Sequence, residues 1–196
     1  ADTVIVGKFV GNAALAAVGA CGTLVFLIIG FLQGVTAGFT VVTAQHFGAG
    51  NMKAMKKSVA SGAVLTGIVT VILTLLSMIS MAKVLHLMNT PSDMYGEAYG
   101  YIMVICGGVV AQGLYNYLAS VLRALGDSKR PLYFLVIAAL LNIVLDLVLI
   151  IVFHLGAAGA AYATVIAQGV SALLCLVYII TVSYTHLRAH ETGRNL

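Results

Sequence analysis

The chain is predicted to be an all-α integral membrane protein, a lobe of six transmembrane helices whose first helix is truncated. Three observations carry this. Hydrophobic residues make up 61% of the 196 positions and charged residues only 8%, whereas a soluble domain carries about 25% charged residues. Mean hydropathy is +1.08, and the apolar residues form runs of roughly 20 to 30 positions, a length that crosses a bilayer as helix. The basic residues gather in short clusters between those runs. Barrel strands would be shorter and would alternate polar with apolar residues.

Charge clusters and Gly, Pro and Asn punctuation divide the chain. The apolar pattern is already running at Val4, so the first helix (about 1–10) is expected to lack its beginning. The second helix covers about 13–45 and stops at the segment QHFGAGN. The third runs over about 58–86 and ends at MNTPSD, where Pro91 and Asp93 mark a turn and a new helix start. The fourth covers about 95–125 and stops at GDSKRP. The fifth (131–154) places Pro131 in its first turn, where the missing N–H does no harm. The sixth covers 156–181. These helices make up one domain, residues 1–181.

Lys and Arg orient the lobe. Loops 46–57 and 123–130 hold Lys53, Lys56, Lys57, Arg123, Lys129 and Arg130, while the opposite side holds only Lys8 and Lys83. Basic loops stay in the cytoplasm, so the chain is expected to be a multi-pass protein of a bacterial inner membrane, in contact with its lipids. The same clustering argues against nucleic acid as a partner, despite a net charge of +4. Cys21, Cys106 and Cys175 lie within apolar runs with no CxxC pattern, which suits packing and not metal binding.

The last stretch, 182–196, is polar and unlike anything upstream. Val182 to Thr192 match the translation of a transposase-end adapter used in preparing sequencing libraries. The segment is therefore read as a non-native tail.

Asp146 is the ionisable residue that stands out, because Leu, Ile and Val surround it in LNIVLDLVLIIV. A carboxylate at membrane depth costs at least a few kcal/mol. It must be protonated, bind a cation or face a wet cavity. Asn142 lies one turn earlier on the same helix face, where an amide can bond the carboxyl or share its cation; the plainer alternative is that both residues join helices. Asp2 is a second acid, equally readable as a helix cap. Gln33, Thr36, Gln112, Tyr115 and Gln168 recur along the helices with Thr164 and Asn116. They would either bond neighbouring helices or line a polar cavity. No HExxH, GxSxG or paired membrane acids of protease spacing occur, so no enzyme activity and no cofactor are expected.

DTVIVGKFVGNAALAAVGA, AQHFGAGN, LRALGDSKRPLYFL, LNIVLD and GAAGAAYATVIAQ, in this order and spacing, resemble the first lobe of multidrug and toxic compound extrusion (MATE) transporters, nearest to the bacterial DNA-damage-inducible-type branch. The resemblance spans residues 2 to about 181. It implies one half of a twelve-helix, two-lobe antiporter that exchanges protons or sodium for amphipathic, often cationic drugs, with the C-terminal lobe as the missing partner. It also implies a cation site made of Asp2, Asn142, Asp146 and Thr164, with Asn116 as a further ligand, and no bound metal besides sodium. A flippase for lipid-linked oligosaccharides is the alternative, but it would call for Arg or Lys at membrane depth to hold pyrophosphate.

Overall fold

The computed structural model describes residues 2–192, with side chains described for residues 2–181. Seven helices follow in order: α1 (Asp2–Phe9), α2 (Asn12–Gly48), α3 (Met52–Leu87), α4 (Ser92–Gly107), α5 (Val109–Ala124), α6 (Lys129–Leu147) and α7 (Gly156–Thr192). A π-helical turn, Val148–Val152, extends α6. The segment read as a non-native tail lies outside the described side chains.

Four helices are long and apolar enough to cross a membrane, and α4 with α5 makes a fifth span bent by 45°. Two differences from the sequence reading stand out. The span expected as one helix over 95–125 is broken at Gly108, within an apolar run that gave no other warning. Gly108 also lets the start of α5 lie close against α7, since a Cβ there would overlap the Val165 side chain. The third helix begins at Met52, earlier than 58, because Asn51 caps it by accepting the Ala54 N–H at 3.0 Å. Lys53, Lys56 and Lys57 therefore project from its first turns and not from a loop.

The chain turns tightly between spans. Gly126, at φ 88°, follows the last turn of α5, where a residue with a side chain would be strained. Asp127 then receives the Arg130 backbone N–H at 3.2 Å and its side chain at 2.8 Å. At the opposite end Glu97 of α4 accepts the Ala157 N–H at 2.8 Å, filling one of the donor positions that the start of α7 leaves open.

α2 packs on α3, α4 and α5, and α7 packs on α4, α5 and α6. Large apolar side chains such as Phe26, Leu27, Ile72, Leu76, Ile79 and Leu140 stay exposed on the outside, as lipid-facing positions should in a bilayer. Two apolar cores form inside. One joins Val6, Leu32, Leu85, Ile102 and Val109; the other joins Tyr117, Leu122, Ala172 and Cys175 near the basic loops. Buried hydroxyls of Thr36, Thr40 and Thr70 bond back to carbonyls one turn earlier, which leaves no unmet polar group at those positions.

Candidate functional site

The polar groups that remain collect where α1, α6 and α7 meet. α1 is short, but it brings Asp2 against α7. The Thr164 hydroxyl donates to Asp2 Oδ2 at 2.9 Å. The same hydroxyl oxygen accepts from Asn142 Nδ2 at 3.3 Å. One relay thus joins α6, α7 and α1 through three side chains.

Asp146 lies beside this relay but outside it. It is wholly buried, and neither of its oxygens finds a hydrogen-bond partner among the other side chains and backbone groups described. The group it faces is the second carboxyl, since Asp2 and Asp146 interact directly. Among the described residues neither acid forms an ion pair with Lys, Arg or His. Two ionised carboxylates so placed would repel each other in a medium that screens poorly. A proton shared between them or a cation held by both would remove that repulsion. Asn142, one turn before Asp146, could have bonded to it; instead its amide turns to Thr164.

Two cavities flank the relay. One, of about 200 Å³, is lined by Asp2, Tyr101, Gln112, Thr164 and Gln168 among apolar neighbours. The other, of about 220 Å³, is lined by Asp2, Asn142, Thr164 and Gln168 beside α6. Of the side chains expected at a cavity, Gln112 and Gln168 line these two. Thr36 is buried with its hydroxyl bonded to the Leu32 carbonyl at 2.8 Å, and Gln33 is exposed on α2. Tyr115 is buried, donating to the Pro131 carbonyl at 3.4 Å. Asn116 is buried one turn beyond Gln112 and makes no hydrogen bond to the acids.

Tyr101 was not singled out from the sequence. Its position was legible in principle, because Tyr101, Ile105, Gly108 and Gln112 follow helical spacing and line one cavity together. The π turn directly after Asp146 was also missed. Such wide turns often mark functional sites, and an unbroken apolar run hides them.

The sequence profile of the MatE family matches residues 1–148. The chain belongs to the MatE family. It is similar to the Probable multidrug resistance protein YpnP of Bacillus subtilis (strain 168), 33% identical over 179 residues that cover 91% of this chain and 40% of the relative. It is also similar to the DNA damage-inducible protein F of Escherichia coli (strain K12), 28% identical over 91% of this chain and 39% of that protein. In three dimensions it matches the inward-facing conformation of a multidrug resistance MATE family transporter of the MOP superfamily, with a TM-score of 0.85 and 26% identity over 90% of this chain and 40% of the other. The MatE chain thus spans about 40% of the length of these relatives, as one lobe of a two-lobe architecture. It is a multi-pass membrane protein of a transporter family.

Proposed function

We propose that this chain supplies the first lobe of a cation-coupled antiporter that exports amphipathic, often cationic drugs. The carrying observation is the Asp2–Asp146 pair, a buried acid beside one that lines both cavities, with no basic side chain among the described residues to neutralise them. A proton or a sodium ion entering the lobe fills that role. Asn142 and Thr164 hold Asp2 in position, and Asn116 joins the site when the helices repack. Neutralising the pair removes a repulsion between α1 and α6. The two helices then close together, the lobe's cavities shrink and drug is expelled. A second lobe completes the central cleft and lets the two halves rock about it.

The names of the relatives support drug export. The lining of both cavities supports it further, since no Lys or Arg is among those residues, whereas a flippase would need cations for pyrophosphate. The basic ends of α3 and α6 support an orientation in which that side faces the cytoplasm of a bacterial plasma membrane.

The test uses the two-lobe protein containing this chain, reconstituted in liposomes. Asp146→Asn is expected to insert and bind drug normally, yet to lose efflux driven by a proton or sodium gradient. Gradient-driven efflux at the unmodified rate would defeat the proposal.

A further inference from the structure

Beyond the acids, two buried polar atoms on α5 and α7 lack a hydrogen-bond partner among the described residues, Asn116 Nδ2 and Gln168 Oε1, and the buried Ser171 hydroxyl has only Tyr115 within hydrogen-bonding reach, without the geometry of a full bond. Ser171 is wholly buried and Asn116 is 6% exposed. Leaving such a group dry costs about 1–3 kcal/mol. Protein interiors usually meet that need with ordered water that has several polar neighbours.

Gln168 and Ser171 lie about one turn apart on α7, and Asn116 adjoins Tyr115 on α5, the helix packed against it. α5 and α7 run in the same direction toward the basic end of the lobe. Gly108 sits against Val165 at the start of the seam, and about two turns further along Tyr115 lies close to Ser171. Beyond that, Arg123 donates to the Ser120 hydroxyl at 2.8 Å and acts electrostatically on both Tyr115 and Cys175. At 1.5 Å per residue, Thr164 to Ser171 spans about 10 Å and Tyr115 to Arg123 about 12 Å more. The upper end opens on Asp2, the accessible member of the acid pair, because Gln168 lines both cavities with it. The lower end reaches the exposed Arg123.

We propose that the α5–α7 seam holds a file of internal waters anchored on Gln168, Asn116 and Ser171, and that a proton leaves the acid pair for the basic side along it. This rests on the reading of Asp2–Asp146 as the ion site. A proton on the pair passes to the first water, the excess charge moves by O–H exchange along the file, and a proton is released at the Arg123 end. The pair is left one unit more negative, ready to be reloaded. The seam residues named here carry no carboxylate, so a metal ion finds no anionic ligand among them. Hydroxyls and amides are good partners for bridging water.

Ser171 is a positioning residue in this scheme, and its size gives the test. In the two-lobe protein in liposomes with a pH-sensitive dye, Ser171→Val closes the file, while Ser171→Gly leaves room for a water in place of the hydroxyl. Drug-driven proton flux should fall about tenfold in Ser171→Val, the scale of one unmade buried hydrogen bond, with drug affinity unchanged. Ser171→Gly should keep its flux. A packing role predicts the reverse order, because glycine leaves a hole and valine fills it. If Ser171→Val does not fold, Ser171→Ala, which removes the hydroxyl without making room for a water in its place, should show a loss in the same direction. Wild-type flux in Ser171→Val, lower flux in Ser171→Gly than in Ser171→Val, or sodium movement without protons in the parent protein each overturns the proposal. Asp146→Asn separates the two ideas. Lost flux there with intact flux in Ser171→Val removes only the route, whereas intact flux in Asp146→Asn removes the ion site itself.

Discussion

Thr164 and Asp2, 162 positions apart in the chain, are joined by a hydrogen bond of 2.9 Å. It pins the first helix of the lobe to the last. The donor is itself oriented by Asn142, so the hydroxyl proton points at Asp2 and not elsewhere.

Removing that hydroxyl should change the ion affinity of the site without unfolding the lobe. A hydrogen bond to a charged group contributes about 1.5–3 kcal/mol. Thr164→Val is therefore expected to shift the ion concentration for half-maximal drug efflux by roughly tenfold or more, upward for sodium, whose ligand loses its orientation, and downward for protons, whose site loses a bond to its charged form, while Thr164→Ser stays near the parent value. Equal ion dependence in Thr164→Val and the parent protein would show that the relay has no part in binding.

Gly108 fixes how closely α5 approaches α7. Gly108→Ala places a methyl group where the Val165 side chain already lies, and overpacking of this kind costs about 1–3 kcal/mol. Thermal unfolding in detergent should occur at a lower temperature. Val165→Ala, added in the same chain, should recover part of the loss, because the two sites share one volume. Independent, additive losses would contradict the close approach.

On the basic face, burial is the largest single influence on Asp127 and disfavours its charged form, but the side-chain and backbone hydrogen bonds of Arg130, its charge and the Tyr178 hydroxyl together outweigh it and hold the carboxyl below its ordinary range. Arg130 also stacks on the Tyr178 ring, 4.5 Å from its centroid, and donates to the Tyr178 hydroxyl. A lowered carboxyl stabilises the fold above its unfolded value of about 4 and loses that contribution as pH falls through the folded one. Melting curves below about pH 4 should show a shallower acid decline for Asp127→Asn than for the parent. The difference should be small and should shrink in high salt, since the pair is largely exposed. Identical slopes at low salt would remove Asp127 from the acid response.

Cys21, Cys106 and Cys175 are free and fully buried. None should react with a maleimide in the folded protein, and all three should react together on unfolding. Mass spectrometry after timed labelling reads this directly. Labelling of Cys21 or Cys106 under native conditions would mean that the outer core opens.

Composition alone made the helical membrane class legible, while the spans read from charge placement differ from the observed helices at the start of the third, which begins at Met52 and not at 58, and at the break within the fourth. Asp146 was conspicuous because nothing in its own run explains a carboxyl. Its true neighbour was not legible, since Asp2 comes from the far end of the chain and only the packing of α1 on α6 and α7 brings the two together. Asn142 illustrates the same limit. Helical spacing placed it beside Asp146, yet the rotamer that satisfies Thr164 turns its amide away. Gly107 and Gly108, the one Gly-Gly pair in the sequence, hinted at the bend between α4 and α5, but single glycines recur through most of the spans without bending them. Tyr101 was hidden among Tyr95 and Tyr99, which stack on each other with a centroid separation of 6.0 Å.

The depth of Asp146 has an electrical consequence. It lies about 12 Å along the chain axis from His154, roughly two-fifths of a bilayer's hydrocarbon thickness. A charge seated there would have traversed a comparable share of the membrane voltage, worth about 0.9 kcal/mol per 100 mV. On the proposed reading of the acid pair as the ion site, its occupancy is tied to membrane voltage as well as to ion concentration, and an energised membrane loads a site that a depolarised one leaves partly filled.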